Sequence, residues 1–571
     1  MTGCHGRPAR CLLALGIGVL LAAAPPRASA GSLAAAAAAP IGAQAQARVD
    51  SDRLAEVSID TTGGLTIAEG ALPPDMWRDT PRSLVEALLP RLPVATSSPA
   101  TRALMRRLLL SAAALPPGEG EQGRLLEERA WQLWRMSDAD GLFRLVAAVP
   151  ADARSSRLMR LDTEMQLLTG DIDGACRTAQ AQIADDPDVF WQMVLGFCQA
   201  LRGAADETAL TLALLAERDV DLGSYKALLG VVSGTGSAAV PRLPDPTPLD
   251  LAMLRAAGKS PQPDAADTAE LPMLAAIARS EMFAEPLRLA AAERAVAAGV
   301  SPAEQLLALY ARAPTARPAP VTARGAVRAE LTTPPSPAAI ARGALESGDG
   351  NRTEAAARAL EAGRQTGRWL QAVRLVTPWL AAAEPDASPA VARQVVPAML
   401  VLGDRARAEA WLGMLADQAA GSTEADDTLG ALLPLARLAR LPQAQSWNAD
   451  DLLEWWQREQ GRPDGRIRVE RAATLLQATG DKTPDALWLA LLQGPAQSKA
   501  TGIDPAYRLQ ILRAARGRRL GETVLLALVA SGLDGPDMLA TSSLEVVVES
   551  LRTVGLQADA RAFALEGAAA R

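Results

Sequence analysis

The side chains able to perform common acid-base or metal chemistry are scarce in this sequence. Its only histidine, His5, and two of its four cysteines, Cys4 and Cys11, lie near the amino terminus. If that segment is removed on export, the mature chain lacks the imidazole used in catalytic triads, in many metal sites and in general acid-base catalysis. We therefore expect no metal site, no cofactor and no enzymatic activity.

The two remaining cysteines predict a disulfide. Cys176 and Cys198 each lie 11 residues from Pro187, which breaks the chain between two helical stretches. In an antiparallel helical hairpin, residues equally distant from the turn lie at the same height, so the two sulfurs can meet. Disulfides persist in exported proteins. The alternative is a pair of buried free thiols that fill space as small apolar groups.

A second candidate site combines tryptophans with carboxylates. Trp447, Trp455 and Trp456 lie close in sequence to Asp451 and Glu454. Aromatic rings beside carboxylates are typical of sugar-binding grooves. Helix packing explains Trp455 or Trp456 equally well, because large apolar residues fill helical cores and one of two adjacent residues faces outward.

A glycine-rich stretch, residues 233–239, matches Gly-x-Gly-x-x-Ala. A dinucleotide site requires this motif between a strand and a helix. Pro241 and Pro244 follow at once, so the stretch is predicted to be a loop.

The clearest structural pattern runs over residues 161–215. Apolar residues recur at helical spacing, and the chain is broken at Gly170-Asp171, at Asp186-Pro187 and at Gly203. This predicts four short helices. A pair of helices this short cannot bury its apolar face alone, so neighbouring pairs must stack on it.

This stretch resembles a tetratricopeptide repeat. The resemblance rests on Gly170, Asp171, Ala175 and Pro187, whose spacings match the family's turn, small helix-contact residue and following proline. Ala179 stands where the family has an aromatic residue. The same five-residue spacing recurs at two further places: Gly403-Asp404 with Ala408, and Gly555 with Ala560.

The resemblance implies an all-α, right-handed helical-repeat solenoid of helix-turn-helix units. It implies a binding scaffold more than an enzyme. A generic helical bundle with glycine-terminated helices is the alternative. Composition agrees with either, because Phe and Tyr number only five and three. Ser-Pro or Thr-Pro pairs typical of helix starts run along the chain. They begin at Thr80, Ser98, Thr247, Ser301, Ser336, Ser388 and Thr483.

The amino terminus has the order of a secretion signal. Arg7 and Arg10 precede the apolar residues 11–24, which are too few to span a membrane. Ala28-Ser29-Ala30 fits a cleavage site, and Ala45-Gln46-Ala47 is a second candidate. We predict a signal peptide over residues 1–30 and a periplasmic protein; an uncleaved anchor is the alternative. Cleavage removes three arginines and no acid, so the net charge falls from −7 to −10. This acidity argues against binding nucleic acid.

Composition divides the rest of the chain into four segments. The first part of residues 31–75 is rich in alanine, and we expect this segment to be flexible. Residues 76–313 and 338–571 are predicted to form two helical-repeat arrays, with a Pro-rich junction at 314–337 between them. A bend inside one continuous superhelix is the alternative.

Two functions fit these features. The first is a non-enzymatic periplasmic scaffold that binds a protein or peptide partner of the cell envelope. The second is a peptidoglycan- or glycan-binding or -processing protein, related in architecture to the superhelical lytic transglycosylases. In the carboxy-terminal residues 542–571 the pair Glu549-Ser550 is not followed by the Gly-Leu-Met-Gln type of pattern that the family's catalytic domain shows.

Overall fold

The described part of the chain is helical throughout. In the computed structural model it comprises residues 58–218, 221–236, 239–243, 245–312, 336–346, 351–385, 388–493 and 502–570. Extended backbone is paired there only at an isolated bridge between Leu65 and Ser111. The all-α class is thus confirmed. None of these helices combines the length and apolar character needed to cross a membrane.

The helices before residue 313 are α1 Arg82–Leu88, α2 Pro99–Leu110, α3 Arg124–Arg135, α4 Ala139–Ala147, α5 Ser156–Thr169, α6 Ile172–Gln182, α7 Val189–Leu201, α8 Ala205–Ala216, α9 Gly223–Val232, α10 Pro248–Ala256, α11 Ala265–Thr268, α12 Leu271–Arg279, α13 Glu285–Ala297 and α14 Ala303–Arg312.

After residue 335 follow α15 Pro337–Glu346, α16 Arg352–Gln365, α17 Trp369–Ala381, α18 Pro389–Val401, α19 Arg405–Ala419, α20 Thr423–Leu438, α21 Ala449–Glu459, α22 Gly465–Ala478, α23 Asp485–Leu492, α24 Pro505–Arg516, α25 Leu520–Ser531, α26 Thr541–Thr553 and α27 Gln557–Ala569. Five 3-10 helices cover Ile59–Thr61, Ile67–Glu69, Leu89–Arg91, Ala151–Ala153 and Pro442–Ala444.

Successive helices pack as neighbouring pairs, and the turn from α5 to α6 shows how the sequence produces one. Gly170 ends α5 with a φ of 96°, a left-handed conformation that glycine adopts without a Cβ clash. The Asp171 carboxylate then accepts a hydrogen bond from the Gly174 N–H at 2.9 Å and caps α6. Ala175 is fully buried on that helix. The small side chain therefore allows the close approach that its position in the repeat pattern suggested.

The other two repeat matches share parts of this geometry. Gly403 has a φ of 79°, Asp404 caps α19 through the Arg407 N–H, and Ala408 is fully buried. Gly555 has a φ of 95° before α27, where Ala560 is buried, although no side chain caps that helix. Two of the three turns thus combine the glycine, the aspartate cap and the buried alanine.

The predicted disulfide is present. Cys176 on α6 and Cys198 on α7 are bonded, with their Cα atoms 5.8 Å apart. Pro187 lies in the turn between these two helices, two residues before α7 begins. The bond therefore joins neighbouring helices at equal distances from their turn.

The predicted Ser-Pro and Thr-Pro helix starts vary in detail. Ser98 caps α2, and Thr247 forms a full capping box at the start of α10. Pro81 and Pro484 occupy the capping position themselves, so α1 and α23 begin one residue later than the pattern predicts.

Residues 58–75 lie in the segment expected to be flexible, yet they are anchored to the helices. The carboxylate of Asp60 is buried and accepts hydrogen bonds from the Leu126 N–H at 2.8 Å and from Arg82 at 3.2 Å. The buried guanidinium of Arg129 donates to the carbonyls of Thr62 and Ser111 at 2.8 and 3.0 Å. Composition does not reveal such contacts, because the two partners of each lie 18 or more positions apart in the sequence.

The first and last helices meet. Helices α1 and α2 pack against α25, and α2 also packs against α27. The Gly521 N–H donates to the Met76 carbonyl at 2.8 Å, and Arg107 pairs with Asp559 at 2.6 Å. Helix α27 also contacts α18, α20, α22 and α26, so much of its surface is buried. The described residues thus form one compact unit in which distant parts of the sequence touch.

The predicted signal peptide at residues 1–30, the Ala-rich residues 31–57 and most of the Pro-rich junction lie outside the described residues. Of the glycine-rich stretch, residues 233–236 form a turn after α9, as the loop prediction requires. The division into two arrays stays a prediction.

Candidate functional site

Two adjoining cavities form a cleft where three parts of the chain meet. Their volumes are about 470 and 410 Å³. Four residues line both, and these are Arg294 and Ala297 on α13, Arg368 at the start of α17, and Gln371 on α17. The walls come from helices on both sides of residues 313–335 and from residues 533–538 near the carboxy terminus. We call these two adjoining cavities together the central cleft.

A cluster of three polar side chains lies beside the first cavity. The Tyr310 hydroxyl donates to the Glu293 carboxylate at 2.8 Å, and Arg342 donates to the same oxygen at 3.2 Å. The Arg342 guanidinium also lies over the Tyr310 ring, 4.6 Å from its centre. These contacts join α13, α14 and α15. The cluster therefore holds together the helices that precede and follow the Pro-rich stretch.

Burial, more than the neighbouring Glu293 carboxylate, raises the pKa of Tyr310. The phenol therefore stays protonated at physiological pH and can act as a donor. Since its hydrogen is already donated to Glu293, we assign Tyr310 a role in shaping the cavity.

The second cavity has an apolar rim. Leu533 and Met538, in the loop between α25 and α26, are 57% and 42% exposed and line the cavity. Gly535 lets this loop approach the start of α2, because a Cβ there would lie 2.9 Å from the Ser98 Cβ, and its φ is 85°. The loop is therefore held in place while two large apolar side chains remain accessible to a partner.

The charges around the cleft are unevenly distributed. Arg368 is exposed at the junction of the two cavities and makes no ion pair in the part of the chain that the structure describes. Arg294, its neighbour, donates to the Ala266 carbonyl. Asp534 stands exposed on the rim of the second cavity. The cleft thus presents a cationic centre between an apolar pocket and a rim with two apolar side chains and two acids, the exposed Asp534 and the buried Asp537.

The five residues of the predicted tryptophan-carboxylate groove do not line one cavity. Trp447 lines a pocket of about 450 Å³, whereas Trp455 lines a different one of about 220 Å³. The Asp451 carboxylate accepts from the Asn448 N–H at 2.7 Å and so caps α21. Glu454 is exposed and lies 3.9 Å from Arg458, and Trp456 is half-buried.

The pocket beside Trp447 has both apolar and polar walls, and Leu452 and Leu476 contribute to the apolar part. We call it the Trp447 pocket. Asn448, Asp481, Lys482 and Thr483 contribute to its lining. Asp481 is held by Arg437 at 2.9 Å and by Arg440 at 3.1 Å. One tryptophan of the prediction therefore does lie beside carboxylate and amide groups, but these come from the turn after α22 as well as from α21.

Sequence reasoning missed the central cleft. Its shared residues are separated by more than 70 positions, and none belongs to a motif. The one sequence signal near it is the Pro-rich stretch at 314–337, which predicts a junction between arrays and not a site. Searches against family models, curated proteins and solved structures found no match to this chain.

Proposed function

We propose that this chain is an exported, non-enzymatic helical-repeat scaffold that binds a peptide segment of a cell-envelope protein in the central cleft. The observation that carries the proposal is that the two cavities adjoin, with Arg294, Ala297, Arg368 and Gln371 lining both. In this proposal the helix pairs build a right-handed superhelix of tetratricopeptide-like units, an architecture suited to extended ligands.

The lining of the cleft favours a peptide that is apolar with one acidic group. Leu306 and Leu375 line the first cavity, and the rim of the second carries Leu533 and Met538. Such surfaces accept alternate apolar side chains of a bound segment. Arg368 lies between them and can pair with a carboxylate through two parallel N–H donors.

Export is supported by two independent features. The amino terminus has the charged, apolar and small-residue order of a secretion signal. The bond between Cys176 and Cys198 is of a kind that persists in oxidising compartments such as the periplasm. Mass spectrometry of the periplasmic fraction should find a chain beginning at Gly31; an intact Met1 on a cytoplasmic protein would contradict export.

The test uses peptides selected from a random library on the purified mature chain. Their affinities are measured by calorimetry on the wild type and on Ala297→Trp, which places a large ring between the two cavities. We expect binding to weaken at least about tenfold, because a blocked groove loses several side-chain contacts. Thr483→Trp, in the Trp447 pocket, is the matched control. Equal peptide affinity of Ala297→Trp and the wild type would refute the claim that the peptide binds in the central cleft.

The second candidate is a glycan-binding function, favoured by the Trp447 pocket. An aromatic ring, an amide, a carboxylate and a hydroxyl lie around about 450 Å³. Sedimentation of the chain with purified peptidoglycan tests it. If this candidate is right, Thr483→Trp abolishes co-sedimentation and Ala297→Trp does not; no co-sedimentation of the wild type would eliminate it.

A further inference from the structure

A small cavity among α16, α18, α20, α21 and α22 is unusually rich in arginine. Its volume is about 220 Å³, and Arg364, Arg393 and Arg468 line it. Gln394 and the buried carboxylate of Glu459 complete the polar lining. We call this the arginine cavity. It is separate from the central cleft and shares no lining residue with it.

One arginine of the cavity is already neutralised. The Glu459 side chain is 1% exposed and accepts hydrogen bonds from Arg468 at 2.5 and 3.1 Å. It also pairs with Arg462 at 3.2 Å. Glu459 therefore has its own cations and leaves no free carboxylate for the other two arginines.

The other two arginines have no such partner. Arg364 donates to the Gln394 side-chain oxygen and to the Ala569 carbonyl, both of them neutral acceptors. Its guanidinium lies 5.1 Å from the centre of the Trp369 ring. Arg393 is half-buried and makes neither a hydrogen bond nor an ion pair within the described residues. Two positive charges thus share one cavity without a carboxylate in contact with either.

Both arginines are half-buried, so two partly desolvated charges lie in the cavity without an anionic partner in contact. Burial is the main cause that lowers the pKa of Arg364 to about 10, the Arg393 charge lowers it further, and the more distant Glu361 opposes them. Buried charges are normally paired, because removing an ion from water costs more than neutral hydrogen bonds return. A bound anion would supply the missing partner for both guanidinium groups.

We propose that the arginine cavity binds a small dianionic oxyanion of the phosphate type between Arg364 and Arg393. Two uncompensated cations match a double negative charge. Guanidinium groups recognise phosphate through paired N–H donors. A volume of about 220 Å³ lies below the roughly 300–1,000 Å³ of pockets for larger ligands, so it suits one such group with a few waters.

The experiment is calorimetric titration of the mature chain with sodium phosphate at constant ionic strength, set with sodium chloride. Arg393→Gln removes one of the two charges without removing a contact, so we expect a folded variant. Its phosphate affinity should fall at least about tenfold, since charge-assisted hydrogen bonds are the strong ones. Arg157→Gln, at a 59% exposed arginine on α5, is the control and should leave the affinity unchanged.

Circular dichroism and thermal unfolding establish that Arg393→Gln is folded. Absence of phosphate binding at millimolar concentration, or equal affinity in wild type and Arg393→Gln, would overturn the proposal. Titration with glycerol 3-phosphate separates the two sources of the ligand. If it binds, the cavity accepts the phosphate group of a phosphomonoester; if it does not bind, the ligand is free phosphate. Succinate binding as tightly as phosphate would overturn the assignment to a phosphate-type anion.

Discussion

The buried carboxyl group of Glu566 should make the stability of the protein depend on pH. Glu566 lies on α27 and is 1% exposed. Its two oxygens lie 2.5 Å from the Ser98 hydroxyl and 2.6 Å from the Ala100 N–H, both at the start of α2. The side chain thus bridges the beginning and the end of the described chain.

Burial favours the protonated carboxyl of Glu566, and its hydrogen-bond partners can accommodate that form. The Ser98 hydroxyl has one hydrogen but lies in donor range of both Glu566 and the Thr101 hydroxyl, which is 2.8 Å away. If Glu566 is protonated it donates to Ser98, and Ser98 is then free to donate to Thr101. Burial, aided by the charge of Asp537, raises the pKa of Glu566 to about 7, while Ser98, Ala100 and Arg374 oppose the shift.

The sign and size of the effect follow from this shift. The carboxyl has a pKa of 4.5 in the unfolded chain and about 7 in the folded protein. Its contribution to the free energy of unfolding is therefore fully present below pH 4.5. That contribution is lost as the pH rises through 7. At roughly 1.4 kcal/mol per pKa unit, ionisation at pH 8 costs about 3 kcal/mol. Glutamine mimics the protonated acid, donating to Ser98 and accepting from Ala100.

We therefore expect Glu566→Gln to be more stable than the wild type by about 3 kcal/mol at pH 8 and nearly equal to it at pH 4.5. Urea unfolding followed by circular dichroism at both pH values measures this difference. Glu454→Gln, at an exposed carboxylate of α21, is the control and should show no such pH dependence. A variant that is less stable than the wild type at pH 8, or a difference that is the same at both pH values, would refute the reasoning.

Two further predictions concern stability. Replacing Cys176 and Cys198 by alanine should lower the free energy of unfolding by about 3 kcal/mol, because their loop of roughly 20 residues is no longer closed in the unfolded chain; urea unfolding that is unchanged in the double variant would contradict this. Arg471→Leu should destabilise the protein by about 3 kcal/mol or more. The buried Arg471 guanidinium donates to the carbonyls of Gly567 at 2.6 Å and Leu539 at 2.8 Å, and these would lose a buried donor. Arg458→Leu on α21 is a more exposed arginine for comparison, and equal destabilisation by the two changes would show that the buried hydrogen bonds contribute little.

Local features were predictable from the sequence, because they depend on residues close together in the chain. The helix break at Gly170, the cap at Asp171 and the disulfide of Cys176 with Cys198 each follow from spacing. The packing of α27 against α2 was not predictable. It depends on contacts such as that of Glu566 with Ser98, which a nearest-neighbour repeat pattern does not contain.

The candidate site was harder to predict for the same reason. Trp447 and Trp455 are close in sequence but line different cavities, since Trp447 precedes the cap of α21 whereas Trp455 lies within the helix. Arg294 and Arg368 are distant in sequence but line the same cleft. Proximity in the chain predicts a shared site only within one helix face or one turn, and neither set of residues meets that condition.

Hydrogen–deuterium exchange of the mature chain with a selected peptide tests the central claim most directly. If the peptide occupies the central cleft, slower exchange should appear in α13, in the first turn of α17 and in residues 533–538, and these changes should be absent in Ala297→Trp. Slower exchange confined to residues 445–452 and 480–483, around the Trp447 pocket, would contradict the account and place binding in the second candidate site.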